Sequence, residues 1–155
     1  MNVVVVAESA TSVVVAEALA DHDVTTVESI TDVSVGPDTD TDVVVLSLSV
    51  PGADAFSTYA SVPLIGIGSA DGSTADFYQL LEEPPDPAAL RSALECVQHV
   101  MEYQQAVDEL YALCRNRARG EDVSPRDLRE ARYSARERLQ AVNRTGTPPL
   151  KQLLR

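Results

Sequence analysis

Two runs of consecutive apolar residues constrain the fold of this chain more than anything else in it. Asp42 to Gly52 reads DVVVLSLSVPG, in which Val43, Val44, Val45 and Leu46 show no alternation of apolar with polar. A half-exposed strand alternates, whereas an unbroken β-branched run suits a central parallel strand covered on both faces. Val3, Val4, Val5 and Val6 form a second such run. Pro51 and Gly52 stop the first one with a turn. Ligands in open α/β sheets sit just outside the carboxyl ends of such strands, so Ser47 and Ser49 are expected at or near any site. Both are hydroxyls, and neither is an acid.

The remaining elements follow in order. Glu8 ends the first strand, and Ser9, Thr11 and Ser12 are N-cap candidates for a helix carrying Val14, Val15, Ala18 and Leu19 to about Ala20. Asp23 to Glu28 reads as a second strand. Ser29 to Val35 allows a short helix before Gly36 and Pro37 break it. After the central strand, Asp54 to Ala60 gives one or two helical turns with Phe56 and Tyr59. Val62 to Ile67 is a fourth strand, Gly68 to Thr74 is too short for a normal helix, and Phe77 to Leu81 is a fifth strand. Five strands with short helical connections imply a three-layer α/β sandwich with right-handed crossovers.

Asp86 followed by Pro87 is a helix start, an N-cap acid before proline at the first helical position. Helical periodicity then runs to about Arg119 without Gly or Pro, a length on the order of 50 Å. Leu90, Leu94, Val97, Val100 and Met101 cover its first half; Val107, Leu110, Tyr111, Leu113 and Cys114 cover its second. Gly120 to Val123 turns, Ser124-Pro125 restarts, and Leu128, Ala131, Ala135, Leu139 and Val142 recur at helical spacing. The two helices are expected to form an αα-hairpin. Gly146, Pro148 and Pro149 end it, and Leu150, Leu153 and Leu154 suit one docking turn in the tail.

Charge divides the chain. Residues 1 to 114 hold 19 acids and one base, a net of −18; residues 115 to 155 hold 11 bases and five acids, a net of +6. A basic segment points to nucleic acid or to an acidic partner, and the nearest acidic surface is the chain's own amino-terminal part. Eleven arginines against the single Lys151 on an acid-rich chain suit concentrated salt. No apolar run approaches the roughly 20 residues that span a bilayer, and no basic n-region of a signal peptide is present. A cytoplasmic protein without a membrane partner is expected. Cys96 and Cys114, on one helix, would stand about 27 Å apart at about 1.5 Å per residue and cannot pair. With no His/Cys cluster nearby, no metal site is expected, and no cofactor is expected either. His22 and His99 are isolated, with no nucleophile spaced around them.

Gly66 to Gly72, GIGSADG, follows a strand as a phosphate-binding loop would. A G-x-G-x-x-G needs glycine at position 71, which is Asp71, so the match fails.

The strand order, the DVVVLSLSVPG strand and EEPPDPAAL before the last long helix resemble the receiver domain of two-component response regulators, over residues 1–98. The resemblance implies a flavodoxin-like sandwich and a phosphoacceptor Asp shortly before the Pro-Gly, a position that falls on Ser47. The Mg²⁺-holding acid pair falls on Ala7 and Glu8, the Thr or Ser after strand four on Gly68 or Ser69, and the Lys before proline on Glu83. An acyl phosphate forms on a carboxylate whose charge Mg²⁺ and Lys offset; a serine hydroxyl with no base beside it is not such a nucleophile. One acid at the metal position underligands a hard cation, and Glu83 would repel phosphate. The pocket is therefore expected to be degenerate and the protein non-enzymatic.

Tyr103, Val107, Glu109 to Leu113, Arg117-Ala118 and Leu128 to Leu139 are similar to the HalX module, a helical segment attached to receiver domains in halophilic archaea. This places a helical hairpin over residues 99–146, continuing the last receiver helix, and a tail over 147–155. Arg115, Arg119, Arg126, Arg129, Arg132, Arg136 and Arg138 are the second candidate site, and Arg129, Arg132 and Arg136 share a face. The blander expectation is that these arginines face acids of the same chain or of a second copy; contact with nucleic-acid phosphates is the alternative. The expected role is signal transduction through protein partners, including a homodimer, with DNA binding by the Arg-rich hairpin as the alternative.

Overall fold

In the computed structural model, which describes residues 1–34, 39–69 and 77–145, β3 (Val43–Ser47) is buried at every position. It pairs in parallel with β1 (Asn2–Val6), Val3 beside Val43 through Val6 beside Leu46, and with β4 (Leu64–Ile67), Val44 beside Leu64 through Ser47 beside Ile67. Backbone groups of a strand paired on both sides are satisfied within the sheet, so its side chains can be apolar on both faces. β2 (Asp23–Val27) lies outside β1 and β5 (Gln79–Leu81) outside β4. The expected five-stranded parallel sheet thus has the order β2-β1-β3-β4-β5. This is the flavodoxin-like winding, whose direction reverses between β1 and β3.

Strand alternation splits the runs between two faces. Val6, Val44, Leu46 and Leu64 pack with Val50 and with Ala53 and Phe56 of α2 (Ala53–Tyr59). Val3, Val5, Val43, Val45, Ile65 and Ile67 point the other way and are equally buried. α1 (Ser9–Ala18) packs on β1 and β2 and buries Val15, with Leu19 just beyond its end also enclosed.

Several boundaries differ from expectation for identifiable reasons. β4 begins at Leu64 because Pro63 offers only its carbonyl, which accepts from the Val44 amide. β5 begins at Gln79, since Phe77 turns into the α2 core instead of extending the strand. None of Ser9, Thr11 and Ser12 caps α1: Glu8 holds the cap position without a side-chain bond, Ser9 donates to Glu28 (2.6 Å) and Ser12 donates back to the Ala7 carbonyl (2.9 Å). The short helix expected from Ser29 is a single 3₁₀ turn, Ile30–Asp32, with Ser29 Oγ accepting from the Thr31 amide. Val35, Gly36 and Pro37, the Ala70 to Thr74 part of the glycine-rich connection, and the tail with Leu150, Leu153 and Leu154 lie outside the described residues.

The chain divides into two compact units, Met1–Leu94 and Glu95–Arg155. α3 (Pro87–Ala118) starts as the sequence implies: the Asp86 carboxylate accepts from the Ala89 amide (3.0 Å) and its carbonyl from Leu90 (2.9 Å). α3 ends in a Schellman motif, with Glu121 N–H bonded to the Asn116 carbonyl and Gly120 N–H to that of Arg117. Ser124 Oγ accepts from Arg126 N–H and opens α4 (Pro125–Thr145), which buries Ala131, Ala135 and Val142. Arg138 of α4 meets Glu102 of α3, so the second unit is the expected helical hairpin. The second half of α3 departs from expectation. Ala106 is buried, but Tyr111 is 68% exposed, Val107 37%, and Cys114 is also exposed. Among the described residues, no helix is long and apolar enough to cross a membrane.

Gly120 holds φ +83 with open space where a Cβ would stand, so Gly120→Ala tests backbone conformation alone. The expected outcome is a loss of about 1–2 kcal/mol, seen as a lower urea midpoint for the helical circular dichroism signal.

Candidate functional site

The register brings one end of every strand to a common edge, and most of the expected site residues lie there. Ala7 follows β1, Ser47 ends β3 beside Ile67, and Gly68 follows β4 with its amide bonded to the Leu81 carbonyl (2.8 Å). Ser69 and Glu8 are exposed beyond the strand ends. Ser47 is only 1% exposed, and its hydroxyl pairs with that of Ser49 at 2.8 Å. Each hydroxyl thus has a neutral partner, and neither has an imidazole or carboxylate to take its proton among the described residues. Ala7 is fully buried, its amide bonded to the Val27 carbonyl and its own carbonyl to Ser12.

Glu83, just past β5, accepts a hydrogen bond from the Thr11 hydroxyl at 3.2 Å. This contact links α1 to the β5 end and joins residues 72 positions apart, so no local pattern could have announced it. Its effect is to hold a carboxylate, rather than a cation, at that end of the sheet. Among the described residues, no three His, Cys, Asp or Glu side chains are grouped so as to hold a metal. Asp42 is at the opposite end of β3, where its carboxylate accepts from the Asn2 amide at 2.7 Å. Gly66 leaves room for packing: a Cβ there would stand 2.7 Å from Leu80 Cδ1 and 3.1 Å from the Phe77 ring.

The hairpin arginines divide into two sets. Arg138 meets Glu102 at 2.6 Å and Arg126 meets Glu130 at 2.7 Å, as facing acids of the same chain would. Arg115, Arg119, Arg129, Arg132 and Arg136 make no ion pair among the described residues. Arg129 and Arg132 stand with Arg117, which the sequence reading did not count as a contact residue, around a groove of about 400 Å³. Leu110 and Cys114 of α3 and Pro125 and Leu128 of α4 complete the groove. The signal that could have revealed it is the apolar stripe Val107, Leu110, Tyr111 and Cys114 at i, i+3, i+4 and i+7, of which Leu110 and Cys114 line the groove.

His99 lies between Glu95 (3.9 Å) and Glu102 (3.6 Å) on α3, both beyond hydrogen-bond reach. Its Nδ1 is buried and has no hydrogen-bond partner among the described residues. Tyr133 has its phenol pKa raised by Glu137, one turn on, which accepts its hydrogen bond and adds negative charge beside it. No protein-family model matches the chain, and no match to a curated protein was found.

Two outcomes are expected of the hairpin. Glu137→Gln brings the Tyr133 phenol down toward its ordinary value, read by alkaline absorbance difference against Tyr133→Phe. Arg138→Ala costs up to about 1 kcal/mol in dilute buffer, and thermal melts show that cost shrinking as salt shortens the screening length to about 3 Å at 1 M.

Proposed function

We propose that this chain is a signal-transduction protein whose first unit is a phosphorylation-incompetent pseudo-receiver and whose helical hairpin binds partners or a second copy. The observation that carries this reading is Ser47. It occupies the carboxyl end of the central strand, beside the β1/β3 reversal where such sheets place their chemistry, and its hydroxyl is taken up by Ser49. The resemblance to receiver domains supplies the comparison: an acyl-phosphate site needs a carboxylate, a divalent cation and a balancing lysine. On that resemblance the three positions fall on Ser47, Ala7 and Glu83, a neutral hydroxyl, a methyl group and an anion. With Glu8, Gly68 and Ser69, they make the degenerate pocket of a domain that acts by contact and takes no cofactor.

A second reading, a DNA-binding regulator, is favoured by one observation: Arg115, Arg119, Arg129, Arg132 and Arg136 are exposed and unpaired among the described residues. Against it, the described hairpin from Glu95 to Thr145 carries nine arginines and nine acids, so it is not a basic patch.

The test is incubation of the intact chain with Mg²⁺ and acetyl phosphate, or with Mg²⁺ and beryllofluoride. The expected outcome is an unchanged intact mass and no Mg²⁺-dependent chemical-shift change at the ends of β1, β3 and β5. A stable adduct on the carboxyl edge would overturn the pseudo-receiver reading, and turnover abolished by Ser47→Ala would replace it with phosphate-transfer chemistry.

A further inference from the structure

We infer that the groove between the second half of α3 and the first half of α4 is a docking site for an acidic amphipathic helix of a partner protein. The inference rests on the proposed role of the hairpin as a partner-binding element and specifies the partner's chemistry. Its floor is apolar, with Leu110, Cys114 and Leu128, while Arg117, Arg129 and Arg132 border it without an ion pair among the described residues. Two packed helices leave a shallow trough along their seam, and a third helix fits such a trough through residues at i, i+3, i+4 and i+7. α3 presents the matching half: Val107, Leu110, Tyr111 and Cys114 have that spacing, and the ring of Tyr111 stands largely in solvent.

Charge selects among occupants. An apolar ridge seats on the floor, and carboxylates on its flanks meet guanidinium groups that can bind them in bidentate fashion. A second copy placed groove to groove would set arginine against arginine. A duplex would gain phosphate contacts but leave the apolar floor uncovered, on a hairpin whose nine acids offset its nine arginines.

The probe is a short synthetic peptide with leucines at i, i+3, i+4 and i+7 and glutamates on both flanks. A scrambled peptide of the same composition, a version with Lys for every Glu, and a DNA duplex are run alongside. Binding to the full chain is read by fluorescence anisotropy, and occupancy of the groove by the rate of Cys114 alkylation from peptide mass mapping, with Cys96 as internal reference. The acidic peptide is expected to bind saturably, to slow Cys114 alkylation, and to bind at least about tenfold more tightly than the scramble, a difference of about 1.4 kcal/mol. The double variant Arg129→Glu, Arg132→Glu, matched to the parent in helical circular dichroism, is expected to lose the acidic peptide and gain the lysine version. Equal protection by the scramble overturns the proposal, as does unchanged affinity in the double variant or displacement of the peptide by the duplex. Cys114 protection that rises with protein concentration without peptide also overturns it, in favour of a second copy. Failure here is separable from failure of the pseudo-receiver reading, which the beryllofluoride experiment decides without reference to the groove.

Discussion

Hydrogen bonding on both sides of β3 is the constraint on which the first unit depends. Val43 to Ser47 can be wholly buried because β1 and β4 take up the backbone groups of that strand, leaving no polar edge to solvate. Once β3 is enclosed, its side chains must be covered above and below. Phe56, Val50 and Ala53 cover one face, and the residues on the other face are buried equally. The same register fixes where each strand stops, so Ala7, Ser47, Gly68 and Glu83 are gathered at one edge by pairing geometry and not by any attraction among themselves. An edge assembled in this way persists whatever its side chains can do.

That distinction explains what was legible in the sequence. The Val3 to Val6 and Val43 to Leu46 runs announced two central parallel strands because continuous apolar patterning has few other uses in a chain with turns this close. Asp86-Pro87 and Ser124-Pro125 announced the helix starts because capping is a local matter of one side chain and one or two amides. The ends of β4 and β5 were not legible: Pro63 accepts without donating, and Phe77 gains more from the α2 core than from prolonging a strand, a choice settled by tertiary packing. The hydroxyls of Ser9, Thr11 and Ser12 were read as caps because their spacing permits it. Each instead found a partner elsewhere, at Glu28, Glu83 and Ala7.

In the hairpin, pattern reading was right about α4 and too generous about α3. Ala131, Ala135 and Val142 are buried as their spacing implies. On α3 Ala106 goes inside while Tyr111, on a different side of the helix, stays out. Which arginines are paired was likewise beyond the sequence, since Arg138 reaches an acid 36 positions away while Arg129 and Arg132 face a groove. At high ionic strength charges act only near contact, with a screening length of about 3 Å at 1 M. There the Arg138 and Glu102 pair at 2.6 Å keeps more of its attraction than the opposite net charges read along the chain.

Ser47 also sets the electrostatics of the sheet's carboxyl edge. Its hydroxyl is buried and satisfied by Ser49, an arrangement that costs little because both groups are neutral. A carboxylate in its place would be a charge taken out of water with no cation among the described site residues to offset it, and Glu83 would add a second negative charge at the same edge of the sheet. An acid placed there alone would be held largely protonated, its pKa raised by burial and by the neighbouring negative charge. An anion at position 47 therefore requires a compensating cation introduced at the same edge, and no single substitution supplies both.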